Sequence, residues 1–179
     1  MAQTLETKLV PWVRTMQIIL AGLCAGPIVF AGILLAIGSQ KPENPAPLAG
    51  QQVEADGDGL IEKIALGVGV LAIFSQGVVG RVVTDAAAKA AVGENQPGES
   101  AEALAGAYQT GLIVASAINE GGAFFNLVAY MITQSPWNMA MAALLVCSNA
   151  AKFPTVAKVA NWAEAKARQL SEEAALKPM

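Results

Sequence analysis

The chain has 179 residues, of which 54% are hydrophobic and 14% are charged, and its formal net charge at pH 7 is −3. A soluble domain carries about 25% charged residues, so this composition predicts a protein of the lipid bilayer rather than of water. The small net charge gives no indication of nucleic acid as a partner. Histidine is absent, so the chain lacks the commonest general base and the commonest metal ligand.

The first predicted element is a membrane span over residues 16–38, a run without a charged side chain that follows Lys8 and Arg14. The run is longer than the apolar part of a secretory signal, which has about 7–15 residues, so we expect it to be retained. Cleavage near the small residues that end the run at Gly38 is the less favoured alternative. Pro27 lies near the centre of the span and predicts a kink, because proline cannot donate a backbone hydrogen bond.

Residues 39–59 are rich in proline, glycine and acidic residues and predict an exposed linker. The alternating acids Glu54, Asp56 and Asp58 resemble the start of a calcium-binding loop. The twelfth position of such a loop supplies a ligand, but here that position is Ala65, inside the next span. A solvated acidic loop is therefore favoured over a calcium site.

Three further spans are predicted in chain order. Span 2 covers residues 60–80, and the helix-forming sequence after it predicts a helix that projects beyond the lipid until a break at 93–98. Span 3 covers residues 106–133. A polar turn at 134–136 separates it from span 4 at 137–151, which is short and so implies tilting or local thinning of the bilayer.

Residues 152–179 form a polar tail that is predicted to be helical. Apolar residues recur in it at spacings of three and four, which indicates one apolar face. We expect an amphipathic helix lying on the protein or on the membrane surface, with a weakly self-associating coiled coil as the alternative. The apolar positions, mostly alanine, are Phe153, Val156, Ala160, Ala163, Ala167, Leu170 and Ala174.

The distribution of basic residues predicts the orientation in the membrane. With four spans, the N-terminus, the 81–103 connection and the tail share one side, and that side carries nine of the 11 Lys and Arg residues. The other two, Lys41 and Lys63, lie on the opposite side. Because basic residues accumulate on the cytoplasmic side, we expect an inner-membrane protein with both termini in the cytoplasm. The nine are Lys8, Arg14, Arg81, Lys89, Lys152, Lys158, Lys166, Arg168 and Lys177.

The predicted fold class is all-α. The elements form an integral membrane four-helix bundle with a cytoplasmic C-terminal amphipathic helix. Residues 1–151 make up the membrane domain and residues 152–179 the cytoplasmic helical tail. The lipid bilayer is the expected surrounding of the membrane domain.

Glu120, near the middle of span 3, is the main candidate for a functional residue. A charged side chain at that depth is costly, so an intramembrane acid is by default a functional hypothesis. Desolvation by neighbouring apolar residues favours its neutral form. Gln76 of span 2 is the expected hydrogen-bond partner, with Ser116 and Asn119 nearby on span 3. These four residues predict either a structural hydrogen-bonded site, which is favoured, or an ion-binding site.

No arrangement in the sequence predicts an enzyme. The chain has no phosphate-binding loop, no nucleophile-elbow motif and no metalloprotease motif. Cys24 and Cys147 lie within apolar runs without metal-type spacing, and we interpret them as small packing residues. We therefore expect no catalytic residues, no cofactor and no metal.

Two resemblances bear on function. Spans 2 and 3 resemble the helical hairpin of rotary ATPase c subunits, the proteolipids. Span 2 has the small-residue runs ALGVGV and SQGVVG, the connection contains Gln96-Pro97, and Glu120 stands where that family has its ion-carrying carboxylate. The whole chain is similar to a group of uncharacterised small bacterial membrane proteins with a YQTxLI…EGxAFFNxVAY block, here Tyr108 to Tyr130.

Two functional hypotheses follow. The favoured one is a non-enzymatic membrane protein with a structural or partner-binding role, in which Glu120 is a protonated hydrogen-bond donor. Its partner would be a second copy of the chain or another membrane protein. The alternative, which the c-subunit resemblance implies, is translocation of protons or sodium ions through Glu120.

Overall fold

The computed structural model describes residues 2–38, 56–94 and 100–176. The described residues form five helices and no strand, so the all-α fold class is confirmed for this part of the chain. The helices are α1 (Ala2–Gly38), α2 (Asp56–Glu94), α3 (Ser100–Thr133), α4 (Pro136–Ala151) and α5 (Val156–Ala175). Three stretches are long and apolar enough to cross a membrane: Thr7–Gly38, Gly59–Ala91 and Ala101–Thr133. Helices α4 and α5, bent by 71°, make a fourth candidate if they count as one span.

The helix boundaries extend beyond the predicted spans. Helix α1 begins far ahead of residue 16 and runs through Pro11 and Pro27 without interruption. Helix α2 continues to Glu94, which confirms the predicted helical extension of span 2. The predicted break was placed too early, because Gly93 and Glu94 still belong to the helix. It begins at Asp56, so the predicted linker was too long at its end, because aspartate and glycine are accepted at helix starts. The rest of the linker, including Glu54, and residues 95–98 of the predicted break lie outside the described residues.

Helices α2 and α3 run antiparallel and come closest where glycine leaves room for the backbone. A Cβ placed on Gly80 would lie 3.0 Å from the Ala115 Cβ, and one placed on Gly122 would lie 2.9 Å from the Ala72 Cβ. One placed on Gly111 would lie 2.9 Å from the Gly80 carbonyl oxygen. Small residues let membrane helices approach closely in this way, without a hydrophobic driving force between them.

The polar turn predicted between spans 3 and 4 is confirmed. Gln134 has a φ of 54°, in the left-handed region that ends many helices. Its backbone N–H donates to the Tyr130 carbonyl at 2.8 Å, and its side-chain amide donates to the Met131 carbonyl at 3.2 Å. Pro136 then begins α4, at a position where the missing backbone N–H would have no helical partner.

Helix α5 lies against α1 and α3 and reaches α2 through ion pairs. Thr155 caps its start by accepting a hydrogen bond from the Lys158 backbone N–H at 3.3 Å. Lys166 of α5 pairs with Asp85 of α2 at 2.8 Å, and Glu173 pairs with Lys89 at 3.5 Å. Two buried apolar clusters lie under α5. Their members are Leu9, Val13, Met16, Ala105, Val159 and Ala160 in one, and Ala88, Leu104, Ala107 and Ala163 in the other.

Candidate functional site

A network of hydrogen-bonded polar side chains joins α2, α3 and α4 at the same height along the bundle. Asn119, which is fully buried on α3, donates through Nδ2 to Gln76 Oε1 of α2 at 2.7 Å and to Asn149 Oδ1 of α4 at 3.0 Å. Gln76 in turn donates to the Ser148 hydroxyl at 3.0 Å. Asn149 donates through Nδ2 to the Ser116 backbone carbonyl at 3.1 Å. These side chains therefore fix the relative positions of three helices.

Lys152 adds a positive charge to this polar network. It directly follows α4, and its Nζ donates to Gln76 Oε1 and, at 3.3 Å, to Asn149 Oδ1. Burial lowers the pKa of the Lys152 ammonium to about 8, so most of it remains protonated at pH 7. The sequence placed Lys152 at the start of the tail and gave no sign that it reaches span 2.

Several buried oxygen atoms in the same helices have no hydrogen-bond partner among the described residues. They are Ser116 Oγ, Asn119 Oδ1, Asn126 Oδ1 and Asn138 Oδ1. Asn119 and Asn126 are seven residues apart and share the buried side of α3, where Asn126 donates to the Gly122 carbonyl at 2.9 Å. With the polar network, these four buried oxygens make the contact between the three helices polar along much of its length.

Glu120 lies on a different side of α3 from the polar network, although it follows Asn119 directly. Its half-buried carboxyl faces α1, where a Cβ placed on Gly26 would lie 3.2 Å from Glu120 Oε1 and 3.3 Å from the Phe124 ring. No described residue forms a hydrogen bond or an ion pair with this carboxyl. Gln76, the expected partner of Glu120, is bonded to Asn119 instead.

The structure thus brings three of the four predicted site residues together and leaves the fourth apart. Gln76 and Asn119 bond directly, and Ser116 joins them through its backbone carbonyl. Sequence reasoning missed Asn149 of the network. The sequence feature that could have identified Asn149 is its spacing from Asn138. The two residues are 11 positions apart, close to three helical turns, so both lie on the buried side of α4.

The surface of α3 beside Glu120 is open. Ala117 and Gly121, one helical turn apart, are exposed, and no described atom lies within 4 Å of a Cβ placed on Gly121. Phe125 and Val128 continue this exposed surface with apolar side chains. We call these four residues the outer face of α3. Small residues on an exposed membrane helix allow another helix to approach its backbone closely.

Chemically, the arrangement offers a hydrogen-bonded network and, apart from it, the Glu120 carboxyl, which forms no hydrogen bond or ion pair with the described residues. No group of three or more His, Cys, Asp or Glu side chains in residues 2–38, 56–94 and 100–176 is placed to hold a metal ion. Comparisons with protein-family models, curated proteins and solved structures found no match to this chain.

Proposed function

We propose that this chain is a non-enzymatic, multi-pass protein of the inner membrane that binds another membrane helix through Glu120 and the outer face of α3. The observation that carries the proposal is the Glu120 carboxyl, which forms no hydrogen bond or ion pair with any described residue. The neighbouring polar groups of Asn119, Gln76 and Asn149 are engaged in tying α2, α3 and α4 together. A framework held in this way presents Glu120 at a fixed position on its surface.

The depth of Glu120 makes an unpaired carboxyl costly. The residue lies 13 positions before the end of α3 at Thr133, a rise of about 20 Å in a hydrocarbon layer of about 30 Å. A polar group left without a hydrogen bond in such surroundings costs about 2 kcal/mol or more. An acceptor on a partner helix, from a second copy of the chain or from another membrane protein, would offset that cost.

The topology belongs to the same proposal. We place the fourth span at α4, which at 16 residues is about 24 Å long and therefore thins the bilayer locally. Both termini and α5 then lie in the cytoplasm, as the distribution of Lys and Arg favours. Helix α5 is amphipathic in this arrangement: Val159, Ala160 and Ala163 face the protein, and the polar side chains of the opposite surface face water.

One observation also favours a second function, proton or sodium translocation. The Glu120 carboxyl forms no hydrogen bond with the polar network, so it is free to take up and release an ion. The resemblance of spans 2 and 3 to rotary ATPase c subunits supports this reading. The two functions differ in what they require of residue 120: a carrier needs a group that ionises, whereas a helix contact needs a hydrogen-bond donor.

Two substitutions at Glu120 separate the two functions. Gln keeps a hydrogen-bond donor and removes the ionisable group, whereas Leu removes both. We expect assembly with the partner, measured by native mass spectrometry of the chain extracted in mild detergent, to survive Glu120→Gln. Glu120→Leu should weaken it by up to about 20-fold, the equivalent of a strong interhelical hydrogen bond of about 1.7 kcal/mol. Glu164→Leu, on the exposed surface of α5, is the matched control.

The outcomes decide between the proposals. Assembly that is equally strong in the wild type and in Glu120→Leu would contradict the partner-binding role, and so would a wild-type chain that is monomeric and without a partner. Ion flux into liposomes that Glu120→Gln abolishes would establish the carrier instead.

A further inference from the structure

A cavity of about 530 Å³ lies between α2, α3 and α5, away from Glu120 and the outer face of α3. Its volume is within the range of about 300–1,000 Å³ that is typical of ligand sites. Gly77, which lines it, has no side chain to fill it, and no described atom lies within 4 Å of a Cβ placed there. The rings of Tyr108 and Trp162, with centroids 5.2 Å apart, form its wall on the side of α5.

Three basic side chains line this cavity: Arg81, Lys152 and Lys158. The guanidinium of Arg81 has no hydrogen bond or ion pair with any described residue, and Lys158 Nζ bonds to a backbone carbonyl at 3.3 Å. Asp85 also lines the cavity, but its carboxylate is paired with Lys166 at 2.8 Å. The cavity therefore has an excess of positive charge that no anion of the described chain balances.

An exposed apolar stripe on α2 leads to Arg81. Leu71, Phe74 and Val78 are 66%, 72% and 65% exposed, and they precede Arg81 at spacings of three and four residues. Residues at these spacings lie on one side of a helix. A molecule with an anion in the cavity could thus lay an apolar portion along α2, which is the arrangement of a phospholipid and not of a soluble anion.

We propose that the cavity binds the phosphate-bearing headgroup of an acidic phospholipid, whose acyl chains lie along the apolar stripe of α2. The planar guanidinium of Arg81 matches two phosphate oxygens, and the ammonium groups of Lys152 and Lys158 add point charges. Basic pockets between membrane helices on the cytoplasmic side are suited to such headgroups. Trp162 and Tyr108 fit this position, because amphipathic rings prefer the level of the headgroups.

Lipid binding to the full-length chain tests the proposal. The chain is held in micelles of detergent and phosphatidylcholine, phosphatidylglycerol is titrated in, and bound lipid is measured by native mass spectrometry. Further phosphatidylcholine and inorganic phosphate are titrated in parallel. We expect phosphatidylglycerol to bind most tightly, and the double variant Arg81→Gln/Lys158→Gln to weaken it about 30-fold, since each basic residue near the surface contributes about 1 kcal/mol.

Two further variants keep the result interpretable. Arg14→Gln/Arg168→Gln removes the same charge from exposed positions outside the cavity and should leave the affinity unchanged. Gly77→Leu leaves every charge in place and fills the cavity from α2, at a position where no described atom lies within 4 Å of an added Cβ. It should weaken phosphatidylglycerol binding without unfolding the helices, as measured by circular dichroism.

Three results would overturn the proposal. The first is equal affinity for phosphatidylcholine and phosphatidylglycerol. The second is binding of inorganic phosphate that is as tight as lipid binding and that Arg81→Gln/Lys158→Gln abolishes. This result would identify a site for a free anion. The third is a loss of phosphatidylglycerol affinity in Arg14→Gln/Arg168→Gln that is as large as the loss in Arg81→Gln/Lys158→Gln. This result would show that binding depends only on the net charge of the chain.

Discussion

The contact between α2 and α3 gives a sharp prediction at Gly111. A Cβ added there would overlap the Thr84 hydroxyl and lie 2.9 Å from the Gly80 carbonyl oxygen. Thr84 cannot simply turn away, because its Oγ1 donates to that carbonyl at 2.7 Å. We expect overpacking to cost about 1–3 kcal/mol, whereas the better helix propensity of alanine stabilises the helix by about 1 kcal/mol. Gly111→Ala should therefore destabilise the chain by up to about 2 kcal/mol.

The assay is equilibrium unfolding in mixed micelles with increasing dodecyl sulfate, followed by helical circular dichroism. Gly67→Ala is the matched control, because no described atom lies within 4 Å of a Cβ there, and it should be neutral or slightly stabilising. Thr84→Ala removes the overlapping hydroxyl, so the double variant with Gly111→Ala should recover part of the loss. The reasoning is refuted if Gly111→Ala is as stable as Gly67→Ala, or if the two effects simply add.

Two further predictions concern the polar network. Asn119→Leu should lower the free energy of unfolding by about 1 kcal/mol, because the two N–H groups of Asn119 Nδ2 lose their hydrogen bonds to Gln76 and Asn149, worth about 0.6 kcal/mol each. Asn161→Leu, on the exposed surface of α5, should have little effect in the same titration. For Lys152, the folded-state pKa of about 8 lies below the ordinary lysine pKa of 10.5, so the unfolded chain binds more protons between these values. Wild-type stability should therefore rise relative to Lys152→Met from pH 8 to pH 10.5, and a difference that does not change with pH would contradict the burial of Lys152.

Much of the helical framework follows from the order of apolar runs and breaks in the sequence. The turn at 134–136 was predictable because glutamine, serine and proline interrupt an apolar region there. The continuation of α2 beyond Gly80 was predictable because residues 81–92 favour helix, although the break expected at 93 begins after Glu94. The early start of α1 was not, since the polar residues ahead of Arg14 become helical in a structure where α5 packs on Leu9 and Val13. That contact joins residues far apart in sequence.

The sequence predicted several of the polar residues that form the candidate site, but it did not predict which of them bond to each other. Asn119 and Glu120 are adjacent, and successive residues of a helix point about 100° apart, so the rotation of α3 decides which of them meets Gln76. Helix rotation depends on the packing of all neighbours, here on the fit of Gly122 against Ala72. The bond of Lys152 to Gln76 likewise requires knowing that the end of α4 lies beside α2.

Site-specific photocrosslinking on the outer face of α3 tests the central claim most directly. Phe125 and Phe74 are both exposed phenylalanines, on α3 and α2, so the added benzoyl group of benzoylphenylalanine can be accommodated at either position. Irradiation of membranes should crosslink position 125 to a defined second chain, whether another copy or a different membrane protein, and position 74 to lipid. The crosslink at 125 should persist with Glu120→Gln and become much weaker with Glu120→Leu. A crosslink that is equally strong at both positions, or that survives Glu120→Leu unchanged, would contradict the proposed role of Glu120.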